Sequence, residues 1–488
     1  MIYDNIVIGS SFSALGCIIG LLKLNKKVLC IDASQNSFEE SNQAKKTEFL
    51  YSKQNIPIKK FNFKNKSSST FNPVDVLESY SFGGLSNVWG GSSLRYFKSD
   101  FSDWPISYDL LKEYYVDCEK IMNVSHFDDN ISKELEIDSK ELNNNKIISF
   151  SEFIIKFLKN KNTLKNLVVG YSRIALGKNF DSCGCSSYGC ENCIFSTKRY
   201  LNMLIKDGSI EYRKNLIVKK FIQKDDHIQL EFENSKTENI STRKLYLGAG
   251  SVKTPRIVLN STNINYDLNL KESQVFFVPG IFFGERFINK KKYHTLCQSQ
   301  FFFKENEFSN IGKISYQIKY DPKLTNSLLK QQFGFLKYLI PEFIINRIFL
   351  ISGFIHSNHS SYSVTINSKN SSYNIFESKK NLNKIKFTIK KQLKSLQLKL
   401  KFFLLSPFLK IGGFGISYHL GGTIPMKDIN NRKKNEPNKI HTNLKGELSC
   451  SKNVFIIDTS CFPSVPAGSI SLTIMANALR IATESWND

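Results

Sequence analysis

Ile6-Val7-Ile8-Gly9-Ser10-Ser11-Phe12-Ser13-Ala14 opens a β-turn-α-β unit, and that unit decides the fold class. Ile6 to Ile8 reads as a short buried strand, and Gly9 to Ser13 as a turn of small residues. Helical character follows from Ala14 to Leu24, and Val28 to Ile31 reads as a second strand ending at Asp32. Where a strand turns into a helix, unpaired backbone N–H groups and the positive end of the helix dipole meet. Small residues there let a pyrophosphate approach. The dinucleotide spacing G-x-G-x-x-G falls on Gly9, Ser11 and Ala14, and only its first glycine is kept. Ala14 still permits close helix packing. Ser11 adds a Cβ facing the phosphates, together with a hydroxyl that can donate to them. Asp32 stands where an acid accepts the ribose hydroxyls. A buried βαβ unit without ligand is the other reading of these residues taken alone.

Further along, Ser81-Phe82-Gly83-Gly84-Leu85-Ser86-Asn87-Val88-Trp89-Gly90-Gly91 sets four glycines around a tryptophan. Arg95, Asp100-Phe101-Ser102-Asp103-Trp104-Pro105 and Tyr114-Tyr115 follow it. In order and spacing these segments resemble the glucose-methanol-choline oxidoreductases, a family of FAD enzymes. The resemblance implies that Gly83, Gly84, Ser86, Asn87, Trp89 and Gly90 wrap the flavin and its pyrophosphate. Leu247-Gly248-Ala249-Gly250-Ser251-Val252-Lys253-Thr254-Pro255-Arg256 is similar to the family's strand-turn-helix near the adenine half. Val218 resembles the position whose backbone reads the adenine edge. Asn453-Val454-Phe455-Ile456-Ile457-Asp458 is similar to the flavin-contacting strand, and Ser471 and Leu472 open a terminal helix whose dipole can face a reduced flavin. Some family members attach FAD through a histidine in the Gly-Gly stretch; Val88 occupies that place here, which implies non-covalent FAD.

The fold class expected is α/β, α+β overall. A Rossmann-like FAD-binding domain spans residues 1–125, 183–265 and 405–488, and an inserted β-rich substrate-binding domain spans 126–182 and 266–404. Short aromatic strands alternating with Lys/Asn loops are expected from about 270 to 400, with Gln300 to Lys304 and Ile314 to Tyr320 as examples. Residues 125 to 180 read as irregular.

Tyr418-His419-Leu420-Gly421-Gly422-Thr423 resembles the family's active-site histidine motif, which makes His419 the candidate base for an alcohol proton. The family pairs this histidine with an Asn or a second His shortly before the terminal helix. Ser469 stands there instead, and its hydroxyl has a shorter reach. That departure keeps open a non-catalytic FAD-binding protein or sensor. His356 and His359, on a polar turn, are further candidates for substrate contact.

Cys183-Gly184-Cys185 and Cys190-Glu191-Asn192-Cys193 make a C-x-C-x₄-C-x₂-C array. Four thiolates so close can bind Zn²⁺ or an iron–sulfur cluster, or remain free thiols. Cys17 and Cys297 read as core residues.

A hydrophobic fraction of 41% over 488 residues can fill a sizeable core, which excludes a largely disordered chain. The net charge of +24 favours anionic partners, yet the basic residues are dispersed and no nucleic-acid module is visible. No secretory signal is read at the N-terminus, so the expected location is cytoplasmic. The broken apolar run from Phe333 to Leu350 reads as a buried helical hairpin, or as a segment lying at the inner face of a membrane. Composition favours a small-molecule or glycan substrate and leaves the electron acceptor unnamed.

Overall fold

The computed structural model describes residues 2–35, 58–61, 64–65, 76–137, 167–177, 194–283, 296–303, 314–319, 325, 329, 338, 340–370, 372–400, 402–428 and 439–486. The opening is the expected one: strand Ile2–Ile8, helix Phe12–Lys23 and strand Leu29–Ile31. Strand Ile2–Ile8 pairs in parallel with both Leu29–Ile31 and Ile240–Leu247, and Leu29–Ile31 pairs in parallel with Glu211–Arg213. The far edge of Ile240–Leu247 is shared. Its first half takes Ile228–Phe232 antiparallel, and its second half takes Val454–Ile456 in parallel. Strand Val218–Gln223 completes this layer. Its central strands are covered on both faces, which is why Ile6, Val7, Leu245, Tyr246 and Leu247 run on without a polar break.

Helix Ser471–Glu484 packs against helix Phe12–Lys23 at a separation that only glycine allows. A Cβ on Gly16 would stand 2.2 Å from the Met475 carbonyl oxygen, and one on Gly20 2.9 Å from Ala482 Cβ. Spaced one turn apart on one helix face, these glycines bring the last helix of the chain onto the first.

Strands Leu167–Tyr171, Ser299–Phe303, Ile314–Lys319, Ile348–Ile355 and Val275–Phe282 form an antiparallel sheet in that order. Phe402–Leu404 and Lys410–Ile411 pair on the outer side of Val275–Phe282. Leu167–Tyr171 lies in a stretch expected to be irregular. On one face, register lines up Val169, Phe301, Tyr316, Gly353 and Phe276. Helix Lys379–Leu400 covers this face through Ile385, Ile389, Leu393 and Leu396, spaced one helical turn apart. This helix corrects the expectation of strands and loops up to residue 400. Its apolar stripe is one residue wide per turn, and lysines and polar residues fill most of the positions between.

The apolar run expected as a helical hairpin is corrected as well. Its described part is the single turn Glu342–Ile345 and then the strand Ile348–Ile355 in the middle of the sheet. Residues 333–337 and 339 lie outside the described residues. A strand buried on both faces and a buried helix share the same unbroken hydrophobic signature, so the run did not separate them. A third, smaller sheet orders Leu420–Gly421, Leu268–Glu272, Tyr362–Ile366, Tyr373–Glu377 and Lys64–Asn65. Among the described residues no helix is long and apolar enough to cross a membrane.

Candidate active site

The two glycine-bearing segments of the N-terminal third meet at the end of the parallel strands. Ser10 Oγ accepts the N–H of Gly83 at 2.8 Å, and a Cβ on Gly84 would lie 3.2 Å from Ser11 Cβ. Gly9 has φ +104°, and an added Cβ would meet the Gly248 carbonyl oxygen at 2.5 Å, so this turn is confined to glycine. Ala14 is fully buried within the helix that follows. Gly250 donates its N–H to Asp458 Oδ2 at 2.9 Å, and Thr254 gives its hydroxyl to the same oxygen. Asp458 thereby pins the turn after Ile240–Leu247 to the end of Val454–Ile456. Trp104 and Ser464 tie the DFSDWP segment to the same region, indole N–H to hydroxyl at 3.1 Å.

Several groups around this cradle are left wanting. A Cβ on Gly90 or on Gly250 would meet no atom within 4 Å, so both backbones border open space. Asn87 spends its amide N–H groups on Phe82 and Gly84, and its Oδ1 is buried without a partner. Asp32 is buried at the end of the second strand, accepts from Ser34 N at 2.7 Å, and has its pKa pushed up by burial. The N–H of Leu216 bonds to the Asp32 carbonyl, which brings the chain leading to Val218 beside that strand end. Ser86 folds its own loop, donating to the Gly83 carbonyl at 2.6 Å, and Trp89 donates to the Phe195 carbonyl. Leu472 is fully buried at the start of the terminal helix and Ser471 is part-buried beside it. A glycine cradle at a helix N-terminus, open positions at Gly90 and Gly250, and a buried acid by the second strand suit a dinucleotide.

His419 lies on the segment that enters the short strand Leu420–Gly421. The preceding Tyr418 has φ +59°, an uncommon conformation for a non-glycine residue, and the surrounding structure fixes it. Ser417 Oγ accepts the His419 N–H at 3.0 Å, and the His419 carbonyl accepts from Ser273 N at 3.0 Å. Glu272 holds the loop from within: its Oε1 accepts from Gly415 N and from the Ser417 hydroxyl at 2.7 Å. Burial pushes the Glu272 pKa up to about 7. The His419 ring stacks on Phe354 at 4.3 Å, and its Nδ1 is buried without a partner although the residue as a whole is part-exposed. Burial lowers its pKa to about 3. The imidazole is therefore neutral near neutral pH and holds a lone pair, and it gains a proton readily only when negative charge arises beside it.

Ser469 is buried, and its hydroxyl donates to Ser92 Oγ at 2.7 Å. Ser92 also accepts from Gln300 Nε2 at 3.1 Å and Gln317 Nε2 at 3.4 Å. The antiparallel sheet thus meets the segment just after the Gly-rich stretch. Ser92, Gln300, Gln317 and Glu272 escaped sequence reasoning.

His356 and His359 sit on the turn after Ile348–Ile355, with rings 6.2 Å apart. His356 Nδ1 accepts the N–H of Asn358, whose amide reaches Asp103, and Ser357 Oγ accepts the N–H of Val465. This turn fastens the antiparallel sheet to the parallel layer. Cys183, Cys185, Cys190 and Cys193 lie outside the described residues. Among the described residues no group of His, Cys, Asp and Glu could hold a metal ion. Cys17 and Cys297 are buried thiols.

The class that the fold defines is a mixed α/β protein with a parallel-rich layer that opens β-α-β and a separate antiparallel sheet. Over 99% of its own length and 99% of the other chain, the protein is similar to the crystal structure of pyridoxine 4-oxidase from Mesorbium loti. The TM-score is 0.65 and the sequence identity 11%. At that identity the likeness is one of fold, and it is the mixed α/β fold that the glucose-methanol-choline resemblance implied. No family model matches the sequence, and no curated protein does.

Proposed function

We propose that the protein is an FAD-dependent oxidoreductase that oxidises a CH–OH group of a small molecule, a sugar, polyol or glycan precursor, with His419 as the base. The observation that supports this reading is the His419 ring, its buried Nδ1 without a partner, stacked on Phe354 and carried by a loop that Ser417 and Glu272 hold. FAD bound in the cradle would supply the hydride acceptor. Gly9, Ser11 and Ala14 would take its pyrophosphate, Asp32 its ribose, the Val218 backbone its adenine, and Gly83, Gly84, Asn87 and Gly90 its flavin end. His419 would receive the hydroxyl proton on its imidazole. Ser469 would orient the substrate hydroxyl beside it.

One observation favours a second reading, a non-catalytic FAD-binding protein. The Ser469 hydroxyl already spends its proton on Ser92. His419→Ala separates the two. Loss of substrate-driven flavin bleaching with FAD retained supports catalysis, and an unchanged bleaching rate removes His419 from the mechanism.

Peripheral contact with an anionic membrane is a separate proposal. Its support is the outward face of helix Lys379–Leu400, where Lys380, Lys384, Lys390, Lys391 and Lys394 are exposed and no acid interrupts them. Failure to float with anionic liposomes at low salt overturns it.

A further inference from the structure

The face of the antiparallel sheet turned away from helix Lys379–Leu400 carries a row of uncharged polar side chains. Register aligns Gln300 with Gln317, Gln317 with Ser352, and Ser352 with Phe277. Directly opposed residues on neighbouring strands share a face, so these four lie side by side across the sheet. The next row on that face is Phe302, Ser315, Phe354 and Val275. Phe354 is the ring on which His419 stacks. At the other end of the polar row, Gln300 and Gln317 meet Ser92, and Ser92 meets Ser469. The two rows together therefore touch both His419 and the Ser92–Ser469 pair, and His419 and Ser469 lie fifty positions apart in the chain.

The three polar side chains are buried, and two of them carry an unpaired atom. Gln300, Gln317 and Ser352 are exposed by 2%, 4% and 3%. Gln300 Oε1 and Ser352 Oγ have no partner. Whichever way the Gln300 amide is turned, one end serves Ser92 and the other is left over. Native interiors rarely leave such groups unpaired, and a bound ligand is one way to pair them. Neither row contains an acid or a base.

We propose that Gln300, Gln317 and Ser352 form the specificity surface of the substrate site, and that it selects a neutral, hydroxyl-rich molecule. The inference rests on the alcohol-oxidising reading above and adds the residues that select the substrate. Amides and hydroxyls offer both donors and acceptors, and a substrate hydroxyl answers both. A carboxylate would face the Gln300 amide oxygen, and neither row supplies a cation to offset its desolvation. An ammonium would find no acid in either row. Phe277, Phe354 and Val275 border the row and suit the C–H face of the same molecule.

The test uses the full-length, FAD-loaded protein and three sets of alcohols: neutral sugars and polyols, hydroxy acids and sugar phosphates, and amino alcohols. Anaerobic flavin bleaching and ligand-induced shifts of the melting temperature are read for each set. Bleaching and a melting shift with the neutral set alone are expected. Gln317→Leu should raise KM at least tenfold, with kcat within about threefold and FAD retained. Gln317→Glu should move preference toward amino alcohols, and it keeps the test open should the leucine variant fail to fold. Preference for a charged set in the unaltered protein overturns the proposal and leaves alcohol oxidation standing. A melting shift with neutral polyols but no bleaching does the reverse. No response to any set, or a KM unmoved in Gln317→Leu, also overturns it.

Discussion

The parallel layer and the antiparallel sheet are built from similar aliphatic and aromatic residues, yet they constrain their sequences in different ways. In the parallel layer, backbones touch. Gly9 lies against the Gly248 carbonyl, and Gly16 against that of Met475, so particular residues are demanded at particular positions. In the antiparallel sheet the requirement is sidedness. Phe301 and the Tyr316 ring pack under helix Lys379–Leu400, with the Tyr316 hydroxyl bonded to Gln392 of that helix, while Gln300 and Gln317 are polar because they meet Ser92. Identity is fixed by contact in one region and by facing in the other. Substitutions should therefore be abrupt in effect in the first region and graded in the second.

The largest expected effect is that of Gly16→Val. Overpacking in a core usually costs about 1–3 kcal/mol. Here the obstacle is a backbone oxygen, so the two helices must separate and the loss should exceed that range. Circular dichroism melting would show it, and a midpoint within a few degrees of the unaltered protein would break the comparison.

Next comes Glu272, which holds the His419 loop from the end of strand Leu268–Glu272. Its pKa of about 7 in the fold, against an ordinary 4.5, means that the folded chain binds this proton more tightly than the unfolded chain. The stability it contributes is complete below about pH 4.5, declines as pH rises, and is lost above about 7, by at most about 3 kcal/mol. Glu272→Gln keeps an acceptor for Gly415 and Ser417 without titrating, so its unfolding profile should be flatter across that interval. Parallel pH profiles for the two proteins would remove Glu272 from this role.

Within the antiparallel sheet, Ile389→Val takes one methyl from the buried stripe of the covering helix and should cost about 0.5–1.5 kcal/mol in denaturant unfolding. The smallest effect belongs to Phe387→Ser. Phe387 is 61% exposed on the outer side of that helix, and its loss should fall within about 0.5 kcal/mol. A larger change would mean that this face is covered in solution.

Legibility followed the same division. The opening unit, the Gly-rich stretch and the helix Ser471–Glu484 could be read because a tight turn or a close approach leaves its mark within a few neighbouring residues. The strands Ser299–Phe303 and Ile314–Lys319 were found from their aromatic runs. The helix Lys379–Leu400 and the strand Ile348–Ile355 were not: a narrow apolar stripe among lysines looks like a loop, and a doubly covered strand looks like a helix. Around the site, His419 and Ser469 were picked out by local pattern. Glu272 was not, because its role depends on Gly415 and Ser417, more than a hundred residues away.

The sequence by itself determined the β-turn-α-β layer and its glycine turn, since φ beyond the reach of other residues and backbone-to-backbone contact restrict what a position can hold. Only the tertiary structure decided which face of the antiparallel sheet is polar and that Ser92, Ser469, Gln300 and Gln317 meet. Their hydrogen bonds join segments more than a hundred residues apart, and no local periodicity records a partner that folding brings from such a distance.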